Sequence, residues 1–166
     1  TFYITISYLG QSGYLTERRV RGLHEMGFEI GCHSMTHPYL TDINDAQLRE
    51  ETAVAKDRLE QICGSGVEHY SCPGGRWNAR VANAVRSAGF RTMATSRTGI
   101  NTASTDPFSL ARVAVLGGTR GEDLVRICLG EGLFQARFKE VLRDSAKQLL
   151  GNRMYDSLRK SLLGNE

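Results

Sequence analysis

Apolar and polar positions follow two rhythms along most of the chain: short apolar runs alternate with longer stretches in which apolar residues recur at helical spacing. Residues 2–6 (Phe-Tyr-Ile-Thr-Ile) read as a strand, rich in aromatic and β-branched side chains. Residues 16–26 read as a helix with Thr16 as N-cap and Gly27 as its stop. A second short strand covers residues 28–31. Asn44 then opens a long helix. Asn44 and Gln47 have capping-box spacing, and Leu48, Ala55, Leu59 and Ile62 share one face as far as Gly64. Val67 to Ser71 reads as a third strand entering Pro73-Gly74-Gly75, and a helix from Ala79 to Ala88 is stopped by Gly89. Residues 90–95 and 110–116 read as fourth and fifth strands.

Repeated strand–helix–strand units predict an α/β fold with a mostly parallel sheet. Beyond Gly118 the texture changes, and residues 121–130, 133–149 and 152–163 read as helices with arginines and lysines between the apolar positions. The expected organisation is an α/β portion over residues 1–118 and a helical extension over 119–166 packed on it. A sheet of this kind places its site at the carboxyl ends of the strands. The turns at 31–40 and 73–75 both fall there.

Composition narrows the possibilities. With 166 residues, 40% hydrophobic and 23% charged, the chain has the make-up of an ordinary globular domain. A net charge of +3 and dispersed arginines carry no nucleic-acid footprint. No apolar run approaches the roughly 20 residues of a membrane span, and the compartment stays open. Cys32, Cys63, Cys72 and Cys128 form no CxxC pair and read as buried thiols, not as a disulfide framework.

Candidate chemistry centres on His33 and His37, two of four histidines, set four residues apart after the second strand. Imidazole is the commonest protein ligand for a transition metal at neutral pH, and Pro38 favours a loop over a helix here. Ser34 is expected to tie that loop down through its hydroxyl. Cys32, His33, His37 and Cys72 could instead form a tetrahedral zinc site, although adjacent Cys32 and His33 would then have to converge on one ion. Asp42, a few residues on, could help complete the shell of such a metal, but reads more simply as a capping or solvated carboxylate. Pro73, Gly74 and Gly75 make a tight bend, and with Arg76 and Trp77 beside them they form a candidate groove wall for a sugar. The single tryptophan has an alternative place in the core. His69 reads as a hydrogen-bonded strand histidine and His24 as an exposed one on a helix.

The stretch Phe28-Glu29-Ile30-Gly31-Cys32-His33-Ser34-Met35-Thr36-His37-Pro38-Tyr39-Leu40 resembles the H-[ST]-x-x-H motif of the polysaccharide deacetylases (NodB homology, carbohydrate esterase family 4). Thr1-Phe2-Tyr3-Ile4 resembles that family's second strand, and Tyr70-Ser71-Cys72-Pro73-Gly74-Gly75-Arg76-Trp77-Asn78 its third motif. Ala88-Gly89-Phe90-Arg91-Thr92 and Asp106-Pro107-Phe108 also fall in familiar places. The resemblance covers residues 1–118, and more weakly Gly151-Asn152-Arg153-Met154-Tyr155-Asp156 is similar to extensions in deacetylases of exopolysaccharide biosynthesis.

The resemblance implies an incomplete, TIM-barrel-like (β/α) barrel that removes acetyl groups from N-acetylated sugars of a polysaccharide or oligosaccharide. A divalent metal, zinc by preference, would be held by His33 and His37 with a third ligand, an aspartate. The family's Asp-Asp motif, which supplies base and third ligand, is expected upstream of Thr1, so the barrel is expected to be truncated at its N-terminus. The arginine of the third motif falls at Ser71, and residues 112–118 hold no histidine to serve as the family's late acid. No catalytic residue of the family is therefore identified in this chain. The alternative expectation is an inactive remnant that binds glycan or a protein partner. An open sheet edge is expected to be covered by the 121–163 helices or by a second copy of the chain, a homo-oligomer.

Overall fold

The computed structural model describes residues 1–133 and Arg137. The helices expected over 133–149 and 152–163, and the Gly151–Asp156 segment, lie outside those residues. The chain divides into two compact units, one of residues 1–96 and 101–112, the other of residues 97–100 and 113–166.

The first unit is built on four parallel strands, β1 (Phe2–Ile4), β2 (Ile30–Cys32), β3 (His69–Ser71) and β4 (Thr92–Ala94), in that spatial order. Helix α1 (Glu17–Glu25) links β1 to β2. Helices α2 (Asp45–Arg49) and α3 (Ala55–Cys63) link β2 to β3, and α4 (Ala79–Ser87) links β3 to β4. The expected parallel α/β arrangement is what forms. Its core joins Ile4, Ile30, Cys32, Tyr70, Cys72 and Met93 from the sheet side to Val20, Leu48, Leu59, Ile62, Val81 and Val85 from the helices. Each large aliphatic side chain buried here contributes about 1.5–3 kcal/mol. Gly31 sits in the middle of the sheet because Tyr3 lies across it. A Cβ there would stand 2.6 Å from the Tyr3 ring and 3.1 Å from His69 O.

The helix ends follow their sequence cues. Thr16 accepts from the Arg19 amide at 3.3 Å. Asn44 and Gln47 close a reciprocal capping box at 2.9 and 3.1 Å, and Gly64 ends α3 at φ +72°. Asn78 caps α4 by accepting from Val81 N at 3.0 Å. Between α2 and α3 the helix widens into a π-turn over Glu50–Val54, which periodicity alone did not foresee. Tyr70 Oη donates to Glu51 O at 3.0 Å, and Thr52 Oγ1 donates to Leu48 O at 2.7 Å. These are side-chain donors of the kind that accompany a locally altered helix ladder.

The fifth strand expected over 110–116 does not form. It is reduced to one parallel bridge, Ala94 to Leu110. The reason is competition by side chains. Asn101 Nδ2 donates to Ala111 O and Ala111 N donates to Asn101 Oδ1, both at 2.9 Å, while Arg112 Nε donates to Thr95 O at 2.7 Å. Backbone groups that a strand would pair are thus already engaged.

In the second unit, helix α5 (Gly121–Cys128) carries exposed Leu124 and Val125. Among the described residues no helix is long and apolar enough to cross a membrane.

Candidate active site

Three adjacent strands deliver the site. His33 follows β2 directly, Thr5 follows β1, and Ser71 ends β3. His33 N donates to Ile4 O at 2.8 Å, Thr5 Oγ1 donates to His33 O at 3.1 Å, and His33 Nδ1 lies 2.7 Å from Ser71 O. A carbonyl oxygen can only accept, so the proton resides on Nδ1 and Nε2 carries the free lone pair. Burial lowers the His33 pKa below its ordinary value. The Ser71 carbonyl opposes that shift, and nearby His37 and Arg112 add to it. His33 is therefore neutral at pH 7, the form that can act as a ligand.

His37 is brought back beside His33 by a tight turn, with ring centroids 4.9 Å apart and planes 66° off parallel. The turn needs left-handed backbone at two non-glycine residues, Ser34 (φ +73°) and His37 (φ +66°). Each costs on the order of 1–3 kcal/mol and persists only where surrounding contacts over-determine it. Those contacts are present. Ser34, fully buried, accepts from His37 N through Oγ at 2.9 Å, the role expected of it. Ile6 N and Ser7 N donate to Ser34 O and Met35 O at 3.2 and 2.9 Å. From the π-turn, Glu51 Oε2 accepts from Met35 N and Thr36 N at 2.8 Å each, and Oε1 accepts from Thr36 Oγ1 at 2.5 Å.

The neighbouring turn after β3 carries the other candidates. Pro73 and Gly75 are buried and Gly74 is exposed. A Cβ on Gly74 would come within 2.7 Å of the Tyr39 ring, so the turn lies against the end of the histidine loop. The Arg76 guanidinium stacks on the same ring, 3.7 Å from its centroid. Trp77 is partly buried and packs against the apolar core. The structure thus brings Gly74 and Arg76 to the histidine loop through Tyr39. Tyr8 also reaches the loop, its ring 6.0 Å from that of His37.

The remaining candidates are elsewhere engaged. His69 bonds Thr92 Oγ1 through Nδ1 at 2.9 Å, as a strand histidine should. His24, expected to be exposed, is half-buried and bonds Ser65 Oγ at 2.8 Å, because α1 packs against the end of α3. Asp42 is exposed and accepts from Thr41 Oγ1. Cys32 and Cys72 are buried free thiols, each pushed up to about 12 chiefly by burial. The four-ligand zinc alternative does not assemble, since among the described residues no three His, Cys, Asp or Glu side chains converge as a metal site. Ser71 Oγ is buried and has no hydrogen-bond partner among the described residues.

Glu51 was not singled out from the sequence, although a cue was there. Positions 51 and 52 fall between Leu48 and Ala55 on the apolar face of the long helix. A carboxylate at a core-facing position must find donors.

A parallel (β/α) sheet with an HxxxH loop at its carboxyl edge defines a recognisable class. The family model for polysaccharide deacetylases matches residues 1–93, more than half of the 166 residues, and the chain belongs to that family. A chitooligosaccharide deacetylase of Azorhizobium caulinodans is 36% identical over 66 residues, 39% of this chain and 31% of its own length. A polysaccharide deacetylase from Bacillus cereus superposes with a TM-score of 0.68 at 21% identity, over 74% of this chain and 39% of that one. The Streptococcus pyogenes deacetylase PplD, solved with acetate, gives 0.66 at 22% identity over 70% and 52%. These two likenesses establish the fold, the incomplete barrel. The chain spans between about a third and a half of the length of these relatives.

Proposed function

We propose that this chain carries the cation-binding edge of a metal-dependent deacetylase that hydrolyses the acetamide of N-acetylated sugars in a polysaccharide or oligosaccharide. One observation supports it above the others: His33 donates its Nδ1 proton to the Ser71 carbonyl. This outer-shell bond fixes the tautomer of a metal-ligating histidine and frees Nε2. His33 and His37 would hold the cation, zinc by preference. A divalent ion there supplies Lewis acidity, polarising an acyl carbonyl and making water more acidic. The chain's own residues orient the two imidazoles, His33 through the Ser71 carbonyl and His37 through Ser34 Oγ on its amide. Of the candidate wall, exposed Gly74 and half-buried Arg76, which rests over Tyr39, would meet the sugar, while buried Pro73 and Gly75 shape the turn and Trp77 packs on the core.

A second reading, a non-catalytic domain that binds glycan or a protein partner, is favoured by a different observation. Among the described residues no carboxylate joins the two histidines, and the position of the family's third-motif arginine is occupied by Ser71. Metal analysis of the purified chain, alongside acetate release from a chito-oligosaccharide, separates the two. Stoichiometric zinc lost in His33→Ala and His37→Ala, with acetate above blank, supports the enzyme. Glycan binding without acetate supports the second reading. A chain that takes up no metal and releases no acetate ends the enzymatic one.

A further inference from the structure

We infer that Glu51 is a positioning residue for the cation site, presetting the His33–His37 turn through the backbone between the two imidazoles and touching neither ring. The inference rests on the reading of His33 and His37 as metal ligands. It starts from a buried carboxylate, 6% exposed, on the core-facing side of a helix. No lysine or arginine pairs with it among the described residues. All of its compensation comes from one place. Met35 N and Thr36 N converge on Oε2, and Thr36 Oγ1 donates to Oε1.

Met35 and Thr36 are the two residues enclosed by the left-handed pair Ser34 and His37. A bend of this kind turns successive amides inward, forming an anion-binding concavity. Here the anion is the protein's own. The dependence is mutual: without Glu51 the inward amides lose their acceptor, and without the bend the carboxylate is buried without donors. The π-turn is part of the device, since Glu51 lies within it and Tyr70 Oη holds the Glu51 carbonyl from the sheet at 3.0 Å. A line of contacts therefore runs from β3 through Tyr70 and Glu51 to the amides between the two imidazoles.

The chemistry of the contacts supplies a discriminating variant. In Glu51→Gln the amide oxygen can accept both backbone N–H groups, and the amide nitrogen can donate to Thr36 Oγ1, reversing one bond while keeping all three. Glu51→Ala abolishes all three. The full chain and both variants are compared in two ways: hydrogen exchange at the Met35 and Thr36 amides without metal, and titration with Co²⁺ followed by visible absorption. Glu51→Ala is expected to lose protection at those two amides while β3 and β4 stay protected. Its Co²⁺ affinity should fall by about 10–100-fold, and Glu51→Gln should restore both readouts.

A folded Glu51→Ala with protected amides and unchanged Co²⁺ affinity overturns the inference, as does a Gln variant no better than Ala. If Glu51→Ala does not fold, Glu51→Asp takes its place. One methylene shorter, it cannot keep all three contacts, and an unchanged Asp variant overturns the inference equally. A wild-type chain that takes up no Co²⁺ removes the functional reading. The exchange measurement alone then upholds or overturns Glu51 as the residue that sets the turn.

Discussion

Two turns leave the carboxyl ends of neighbouring strands, and they stabilise unusual backbone in opposite ways. The Ser34–His37 turn places non-glycine residues at positive φ and holds them with side chains: Ser34 Oγ on the His37 amide, Glu51 on the amides between. The Pro73–Gly75 turn omits side chains instead, with Gly74 and Gly75 at φ +58° and +66°. Tyr39 and Ser96 occupy the space that Cβ atoms would need. The difference follows from what each turn must present. The first turn keeps a histidine side chain at a strained position, so the strain is offset by hydrogen bonds. A wall against which another loop packs needs closeness, which glycine provides without steric cost.

The largest test of this contrast is Gly75→Ala. Its Cβ would fall on Ser96, whose backbone nitrogen is 2.7 Å from that point, at a φ of +66°. Overpacking and backbone strain together predict a loss of about 3 kcal/mol, read from denaturant unfolding. A loss near zero would show the turn to be pliable. Ser34→Ala should cost less, about 1–2 kcal/mol, because it leaves the His37 amide without its acceptor. Ser34→Gly removes the same bond but relieves the φ of +73°, so it should be about 1 kcal/mol more stable than the Ala variant. If the Gly variant is the worse of the two, strain is not what the hydroxyl offsets.

The smallest effect is a local one, read through two thiols that flank the turns. Cys32 precedes His33 and Cys72 precedes Pro73, both buried and both pushed up to about 12 by burial. A thiol whose pKa is raised on folding contributes stability that is complete below its unfolded value near 9. That stability is lost as pH rises through the folded value near 12. At pH 8 exposed Cys128 should therefore react first with a thiol reagent, and Cys32 and Cys72 only through opening of their turns. Ser34→Ala should speed Cys32 without speeding Cys72, and equal acceleration of both would couple the two turns.

Much of the framework was legible in the residues themselves. Asn44 and Gln47 announced their capping box, Gly64 and Gly89 their helix stops, and His33-Ser34-Met35-Thr36-His37 its loop and family. What the pattern misplaced was non-local. The 110–116 run looks like a strand, yet Asn101, ten residues upstream of Ala111, takes its hydrogen bonds. His24 sits on a polar helix face, yet Ser65 closes over it. Glu51 falls on the apolar face between Leu48 and Ala55, yet its donors, Met35 and Thr36, lie on a different element.

The sequence by itself determined the alternation of the first four strands with their helices, the caps of those helices and the presence of two imidazoles four residues apart. Those depend on local propensity, capping and periodicity, which act within a few residues. Only the tertiary structure decided that His33 is held as the Nδ1–H tautomer by a carbonyl 38 residues away. It alone placed a buried carboxylate from a π-turn under the loop, and brought Arg76 to rest on Tyr39. Each of these is a hydrogen bond or stacking contact between groups distant in sequence, whose partner exists only once the sheet and helices have packed.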